Sequence, residues 1–225
     1  MTRMSILPRR AVLLALCLGV SPGLAAETLK VDGAAGNNTV TAIFDAPLGE
    51  RITAVSSAVA CEATWEPKTG VVFGKCSVPL TSIKVDADDT KTGHFRQWTT
   101  NKKSDPATCE LSARFEAVHL PAPLKPDVSQ SFTAAIPFLV CGRARDDGAA
   151  EQMSGTVVLL GNEGRLRIRG RVEHFRREAY RIGPRFTEGW LARVQALSGV
   201  VAEEGVLELT LFAAPEGWKA ASPLR

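Results

Sequence analysis

The segment Val59-Ala60-Cys61-Glu62-Ala63-Thr64-Trp65-Glu66-Pro67-Lys68-Thr69-Gly70-Val71-Val72-Phe73-Gly74-Lys75-Cys76-Ser77-Val78 decides the reading of this chain. Pro67-Lys68-Thr69-Gly70 is a turn signal between two runs that hold β-branched and aromatic residues, which reads as an antiparallel hairpin. A turn centred between Lys68 and Thr69 opposes Cys61 to Cys76, Ala63 to Gly74, Trp65 to Val72 and Val59 to Val78. Side chains alternate across a strand, so all of these share one face. The other face carries Glu62 opposite Lys75, a cross-strand charge pair that contributes roughly a few tenths of a kcal/mol. One register thus aligns a cysteine pair, an apolar face and a charge pair. It predicts a Cys61–Cys76 disulfide on an inward face.

The same texture runs through most of the chain. Candidate strands are 38–46, 53–66, 70–80, 108–120, 130–145, 151–161, 164–175 and 204–213, rich in Val, Thr, Ile and Phe. Pro47-Leu48-Gly49 and Gly161-Asn162-Glu163-Gly164 add further turn signals. Residues 86–103 are polar and suit a loop with a short helix, 121–129 hold three prolines in a second loop, and 216–225 form a tail. The fold class is all-β: about eight antiparallel strands making a single sandwich or barrel over 26–215. Once Cys61 is joined to Cys76, Cys109 and Cys141 remain to pair. A direct hairpin between these two turns Leu111, Ala113 and Phe115 inward but sends Phe132, Ile136 and Phe138 to the other face. Either a bulge intervenes or the pairing differs.

The chain has 225 residues, 45 % apolar and 23 % charged, which is an ordinary globular composition. Its formal charge of +3 comes from Arg3, Arg9 and Arg10; those first 25 residues hold no acid, and the remainder is balanced at 24 charges of each sign. Composition therefore gives no support to a nucleic-acid binder. The positive start, the apolar run Ala11 to Val20 and Ser21-Pro22-Gly23-Leu24-Ala25-Ala26 have the layout of a secretory signal peptide over 1–25, cleaved after Ala25 or Ala26. A membrane anchor needs about twenty apolar residues. Leu16 before Cys17 is too bulky for a lipoprotein site, and Arg9-Arg10 leaves twin-arginine export open beside the general route. The expected location is periplasmic or secreted, without a transmembrane segment. Export leaves Cys61, Cys76, Cys109 and Cys141 in an oxidising compartment, which suits two disulfides. None has zinc-knuckle or redox-motif spacing, so no metal site is expected.

Few residues offer chemistry. Arg165, Arg167, Arg169 and Arg171 alternate with Leu166, Ile168, Gly170 and Val172. They are either an anion-binding stripe or, as strict period-two alternation favours, the basic outer face of a half-buried strand opposite acids such as Glu208. His94, His119 and His174 lie on different segments, no Gly-x-Ser-x-Gly elbow is present, and Asp86, Asp88 and Asp89 lack the glycine and distant glutamate of a calcium loop. No catalytic residue and no cofactor is assigned. A barrel interior either fills with side chains or holds one apolar ligand. Here bulky and small residues mix at inward positions, which fits a cavity and fits taper.

The order of several segments resembles the YceI-like family. Val40-Thr41-Ala42-Ile43-Phe44 is similar to its first strand. Gly74-Lys75-Cys76-Ser77-Val78-Pro79-Leu80-Thr81-Ser82-Ile83 resembles its strand ending in Val-x-x-x-Ser-Leu/Ile. Thr92-Gly93-His94-Phe95-Arg96-Gln97-Trp98 resembles its His-Leu-Arg-Ser segment, and Pro106-Ala107-Thr108 the start of the next strand. Arg177-Glu178-Ala179-Tyr180-Arg181-Ile182-Gly183 is similar to its aromatic-Gly-Ile stretch, and 204–213 to its closing strand. The resemblance covers roughly 35–213. Cys109, Lys91-Thr92-Gly93 and Val140-Cys141-Gly142 depart from the family pattern.

The resemblance implies an exported lipocalin-like barrel that sequesters or transports a long-chain lipid of isoprenoid, quinone or fatty-acyl type, without enzymatic activity. The expected barrel lining is Phe44, Val59, Ala63, Trp65, Val72, Val78, Leu111, Phe115, Leu166, Ile168 and Leu209, with His94 or a barrel-mouth arginine at the headgroup. The expected state is a monomer or homodimer. The alternative is a filled barrel that acts as an envelope-stress or interaction protein through its surface, and a third possibility is an enzyme with a site assembled from loops.

Overall fold

The computed structural model describes residues 26–31, 33, 35–100, 104–161, 164–186 and 201–219. The leader therefore lies outside the described residues. Twelve strands form one antiparallel sheet: β1 (Glu27–Val31), β2 (Thr39–Asp45), β3 (Arg51–Ser56), β4 (Ala60–Trp65), β5 (Val71–Pro79), β6 (Lys84–Val85), β7 (Glu110–His119), β8 (Gln130–Ile136), β9 (Phe138–Val140), β10 (Glu151–Leu160), β11 (Arg165–Arg176) and β12 (Glu204–Pro215). The helix α1 spans Asp89–Thr100.

The strand number exceeds the expected eight for local reasons. The run read as 53–66 bends after β3, where Ser56 Oγ accepts from the Ala58 N–H at 3.1 Å and bonds Ser82 Oγ at 2.7 Å. Pro137, which has no N–H for a ladder, divides β8 from β9. The short strands β1 and β6 fall outside the segments expected to be strands.

β12 organises the wall. One edge pairs with β11; the other is shared, with β2 on Gly205–Thr210 and β1 on Ala213–Pro215. From β1 the sheet continues through β4, β5, β7 and β9, from β2 through β3 and β6, and from β11 through β10 and β8. The ladder does not close as one uninterrupted ring, because β8 bonds β10 and β9 bonds β7 on opposite sides of Pro137.

The β4–β5 hairpin has the register read from the sequence: Cys61 faces Cys76, Ala63 faces Gly74, Trp65 faces Val72 and Glu62 faces Lys75. A disulfide joins Cys61 to Cys76, with Cα atoms 4.1 Å apart. A second joins Cys109 to Cys141 at 4.7 Å. The conflict at that bridge has a simple resolution. β7 pairs Leu111 with Val140 and Ala113 with Phe138, one residue away from the register that opposes the two cysteines. Phe132, Ile136, Phe138 and Val140 therefore all turn toward the core, and Cys141 leaves the strand at φ 47° to reach Cys109.

β11 presents Leu166, Ile168 and Val172 to the core and its arginines outward. Arg171 stands opposite Glu208 and is ion-paired to it and to Glu173, while Arg165 lies over the Trp218 ring at 5.1 Å. Arg171 is thus neutralised on the outer face, while Arg165 is held there by the Trp218 ring and the Ala35 carbonyl at 2.9 Å. At the other end of the barrel Asp88 caps α1, its Oδ1 accepting the Lys91 N–H at 2.8 Å. Asp86 takes the Thr53 N–H and the Lys91 ammonium, both at 2.8 Å. Asp86 and Asp88 thus serve turn and cap geometry, and Asp89 pairs with Lys84 at 3.4 Å. No helix among the described residues is long and apolar enough to cross a membrane.

Candidate functional site

The inward faces do not fill the barrel. Three adjoining chambers lie along its interior. The upper one, under α1, is lined by Phe44, Ile52, Phe95, Trp98, Phe175 and Leu207 among others, and has a cavity volume of about 260 Å³. The middle one, about 100 Å³, is walled by residues that include Val40, Val59, Val78, Leu111, Phe115 and Leu209. The lower one, about 80 Å³, is walled by residues that include Leu29, Ala63, Val72, Phe132, Leu166 and Ile168. Leu111, Phe175 and Leu207 are common to the upper pair, and Phe115, Met153 and Leu209 to the lower pair.

Ten of the eleven expected lining residues border these chambers: Phe44 above; Val59 and Val78 in the middle; Leu111 above and in the middle; Phe115 and Leu209 in the middle and below; Ala63, Val72, Leu166 and Ile168 below. Trp65 does not. It is buried on the same strand face at the end of β4, 5 % exposed, within the core cluster, and its Nε1 has no hydrogen-bond partner among the described residues. Sequence reasoning missed Met153, Phe132, Phe138, Phe95, Trp98 and Phe175. Strand alternation placed Phe132 and Phe138 on one face but left open which face was inward; the wrong register for the Cys109–Cys141 bridge concealed it. Phe95 and Trp98 enter from α1, whose inward side has no strand parity to reveal it.

Small residues shape the space. At Gly155 an added Cβ would stand 2.8 Å from the Phe132 ring and 2.2 Å from the Arg169 carbonyl oxygen. Glycine there lets the Phe132 ring lie flat against the wall instead of across the chamber.

Lys91, His94 and Arg177 border the upper chamber, while the middle chamber has Ser56, Ser77, Ser112 and Glu208 among its mostly apolar lining. His94 is exposed, and its ring stacks on Trp98 at 6.1 Å with 12° between planes. The Lys91 ammonium holds Asp86, which raises its pKa. Arg177 is committed to the backbone: Nε donates to the Ala202 carbonyl at 2.9 Å, Nη1 to Ile182 at 2.8 Å and Nη2 to Val201 at 2.8 Å. That arginine braces the rim, and His94 and Lys91 are the other two charged or titratable side chains that border the upper chamber.

Beside the rim, Phe44 meets Phe175 edge-on at 6.4 Å and Phe175 stacks on Tyr180 at 5.2 Å. The Tyr180 hydroxyl donates to Glu151 at 2.8 Å, and Arg145 Nη1 reaches the same carboxylate at 3.1 Å. Burial, and then the bond to Glu151, push the Tyr180 pKa up. Arg145 also pairs with Asp147 and, with the Ala149 N–H, holds that carboxyl down at about 2. Each group in this network has a structural partner. His94, on α1, His119, in β7, and His174, bonded to Glu204, belong to separate elements, and among the described residues no cluster of three His, Cys, Asp or Glu could hold a metal.

An open antiparallel barrel with a mostly apolar interior, the helix α1 over one end and two disulfides is similar in fold to the lipocalin-like barrels of YceI-like proteins. Solved structures with this fold include a polyisoprenoid-binding domain from Saccharophagus degradans implicated in plant cell wall breakdown, 13 % identical, with a TM-score of 0.54, covering 83 % of this chain and 98 % of that one. Another is BcnA from Burkholderia cenocepacia, 16 % identical, with a TM-score of 0.55, covering 81 % and 98 %. No protein-family model matches the sequence, and no curated protein does.

Proposed function

We propose that this chain is an exported, non-enzymatic lipid-binding protein that sequesters or transports one long apolar ligand, of isoprenoid, quinone or fatty-acyl type, inside its barrel. The observation that carries the reading is the distribution of polarity: the space inside the barrel is bounded mostly by apolar side chains, and the cationic groups Lys91 and Arg177, with His94, border it at the upper end. Apolar burial contributes about 25 cal/mol per Å², so a long tail binds such a wall tightly with few polar contacts. The polyisoprenoid-binding domain that shares the fold supports this chemistry, and the leader with two disulfides supports export.

Native mass spectrometry of the protein purified from its own periplasm, followed by organic extraction, tests the reading. A stoichiometric long-chain adduct is the expected result. Phe115→Asp places a charge between the middle and lower chambers and should abolish co-purification of the lipid. A clean apo mass with no uptake of added isoprenoid or fatty acid would sink the reading and turn attention to protein partners.

A further inference from the structure

The outer face of β10, β11 and β12 carries cations that the barrel leaves unanswered. Thr156 to Leu160, Arg165 to Arg169 and Thr210 to Pro215 lie side by side on these strands and hold three arginines and no acid. Alternation sends Arg165, Arg167 and Arg169 outward, about 13 Å from first to last at the usual rise per strand residue. Two of them differ from Arg171, which Glu173 and Glu208 neutralise. Among the described residues neither Arg167 nor Arg169 has an ion-pair or hydrogen-bond partner. Thr156 and Thr210 flank Arg169 in register, and Val158 and Phe212 flank Arg167. A tight turn after β12 adds a second aromatic. The Trp218 N–H donates to the Pro215 carbonyl at 3.0 Å, Gly217 takes φ 81°, and the indole returns over the Arg165 guanidinium at 5.1 Å. Phe212 and Trp218 are half-buried, so part of each ring faces solvent.

We propose that this outer face docks the protein on a bilayer surface that bears anionic phospholipid headgroups. Arg167 and Arg169 meet the lipid phosphates, whose oxygens suit the forked guanidinium donors. Trp218 settles at headgroup level, where an indole finds apolar and polar surroundings at once, and Phe212 adds apolar contact. A basic side chain beside an anionic leaflet contributes about fivefold in affinity, so the two unpaired arginines together give roughly thirtyfold. A soluble polyanion would engage the arginines and leave the aromatic side chains without a role, which favours the bilayer. The face lies on the outside of the wall, so docking does not depend on what the barrel holds. For a lipid carrier, it sets the barrel against a surface that supplies or receives lipid.

The test is co-sedimentation of the purified exported protein with vesicles of phosphatidylcholine alone and of phosphatidylcholine with about one-third phosphatidylglycerol. The anionic vesicles should bind at least about tenfold more tightly. Salt near 1 M, where the screening length falls to about 3 Å, should release most of the protein. Arg167→Gln with Arg169→Gln should weaken binding roughly thirtyfold. Arg51→Gln with Lys84→Gln, the same charge change on β3 and β6, should leave it within about twofold of the wild type. Trp218→Ala, which keeps the charge, should weaken binding severalfold. Circular dichroism of each variant checks that these outward substitutions leave the fold intact. Equal binding of the two vesicles, no binding of either, or an equal loss in the β3 and β6 pair overturns the docking face. So does inorganic polyphosphate that binds the wild type as tightly as the anionic vesicles and loses affinity with Arg167 and Arg169, because the face then reads soluble anions. Lipid kept through purification bears on the cargo alone, so the docking face and the lipid-binding reading fail separately.

Discussion

Glu151, 2 % exposed, shows how a charge is held at the edge of an apolar barrel. Its carboxylate is held by the Tyr180 hydroxyl and Arg145, because an unpaired buried charge is far costlier than a paired one. Glu151→Ala strands both donors and should destabilise the protein by about 3 kcal/mol, whereas Tyr180→Phe removes one hydrogen bond and should cost about 1 kcal/mol; urea unfolding of the two variants separates the values. Nearby Asp147 gives a pH dependence of definite sign. Its folded pKa of about 2 lies below the ordinary 3.8, so its contribution is complete above that ordinary value and disappears as pH falls toward 2. The urea midpoint of Asp147→Asn should therefore fall less steeply across that interval than that of the wild type. None of this was legible beforehand, since Glu151 and Tyr180 are 29 residues apart and only the tertiary fold sets them against each other.

At the scale of elements, the β4–β5 hairpin was fully legible, because a tight turn fixes register and register fixes every opposed pair. Its disulfide closes a loop of 15 residues and the Cys109–Cys141 bridge one of 32. Chain entropy assigns these closures about 3 and about 3.7 kcal/mol. Replacing either pair with alanine should lower the urea midpoint, the second pair by the larger amount. Gly155 offers a complementary test. Gly155→Ala drives a methyl into the Phe132 ring and the Arg169 carbonyl, and should cost about 1–3 kcal/mol, measured in the same unfolding experiment. The strand 130–140 misled sequence reasoning because its register is fixed through Pro137 and the turn at Cys141, neither of which announces the one-residue offset.

At the scale of the whole molecule, twelve strands and the helix α1 among the described residues leave a mostly apolar cavity bordered at its upper end by Lys91, His94 and Arg177. Binding to the folded state alone must stabilise it, so a long-chain lipid at about a hundred times its Kd should add about 2.7 kcal/mol to unfolding. Calorimetry of the delipidated protein with and without added lipid reads that shift, and its absence would contradict the binding reading. N-terminal sequencing of the exported protein should begin at Ala26 or Glu27.

The sequence by itself determined the all-β class, the antiparallel strands, the Cys61–Cys76 pair and the parity of most wall residues, while turn and strand signals left sandwich and barrel both open. These are local properties: turn chemistry, period-two alternation and cross-strand complementarity act over a few residues. Only the tertiary structure decided that side chains leave space inside the barrel, that Trp65 does not border it and that Phe95 and Trp98 of α1 do. Hollowness depends on how side chains from distant strands fill a shared volume, and no alternation along a single strand encodes that sum.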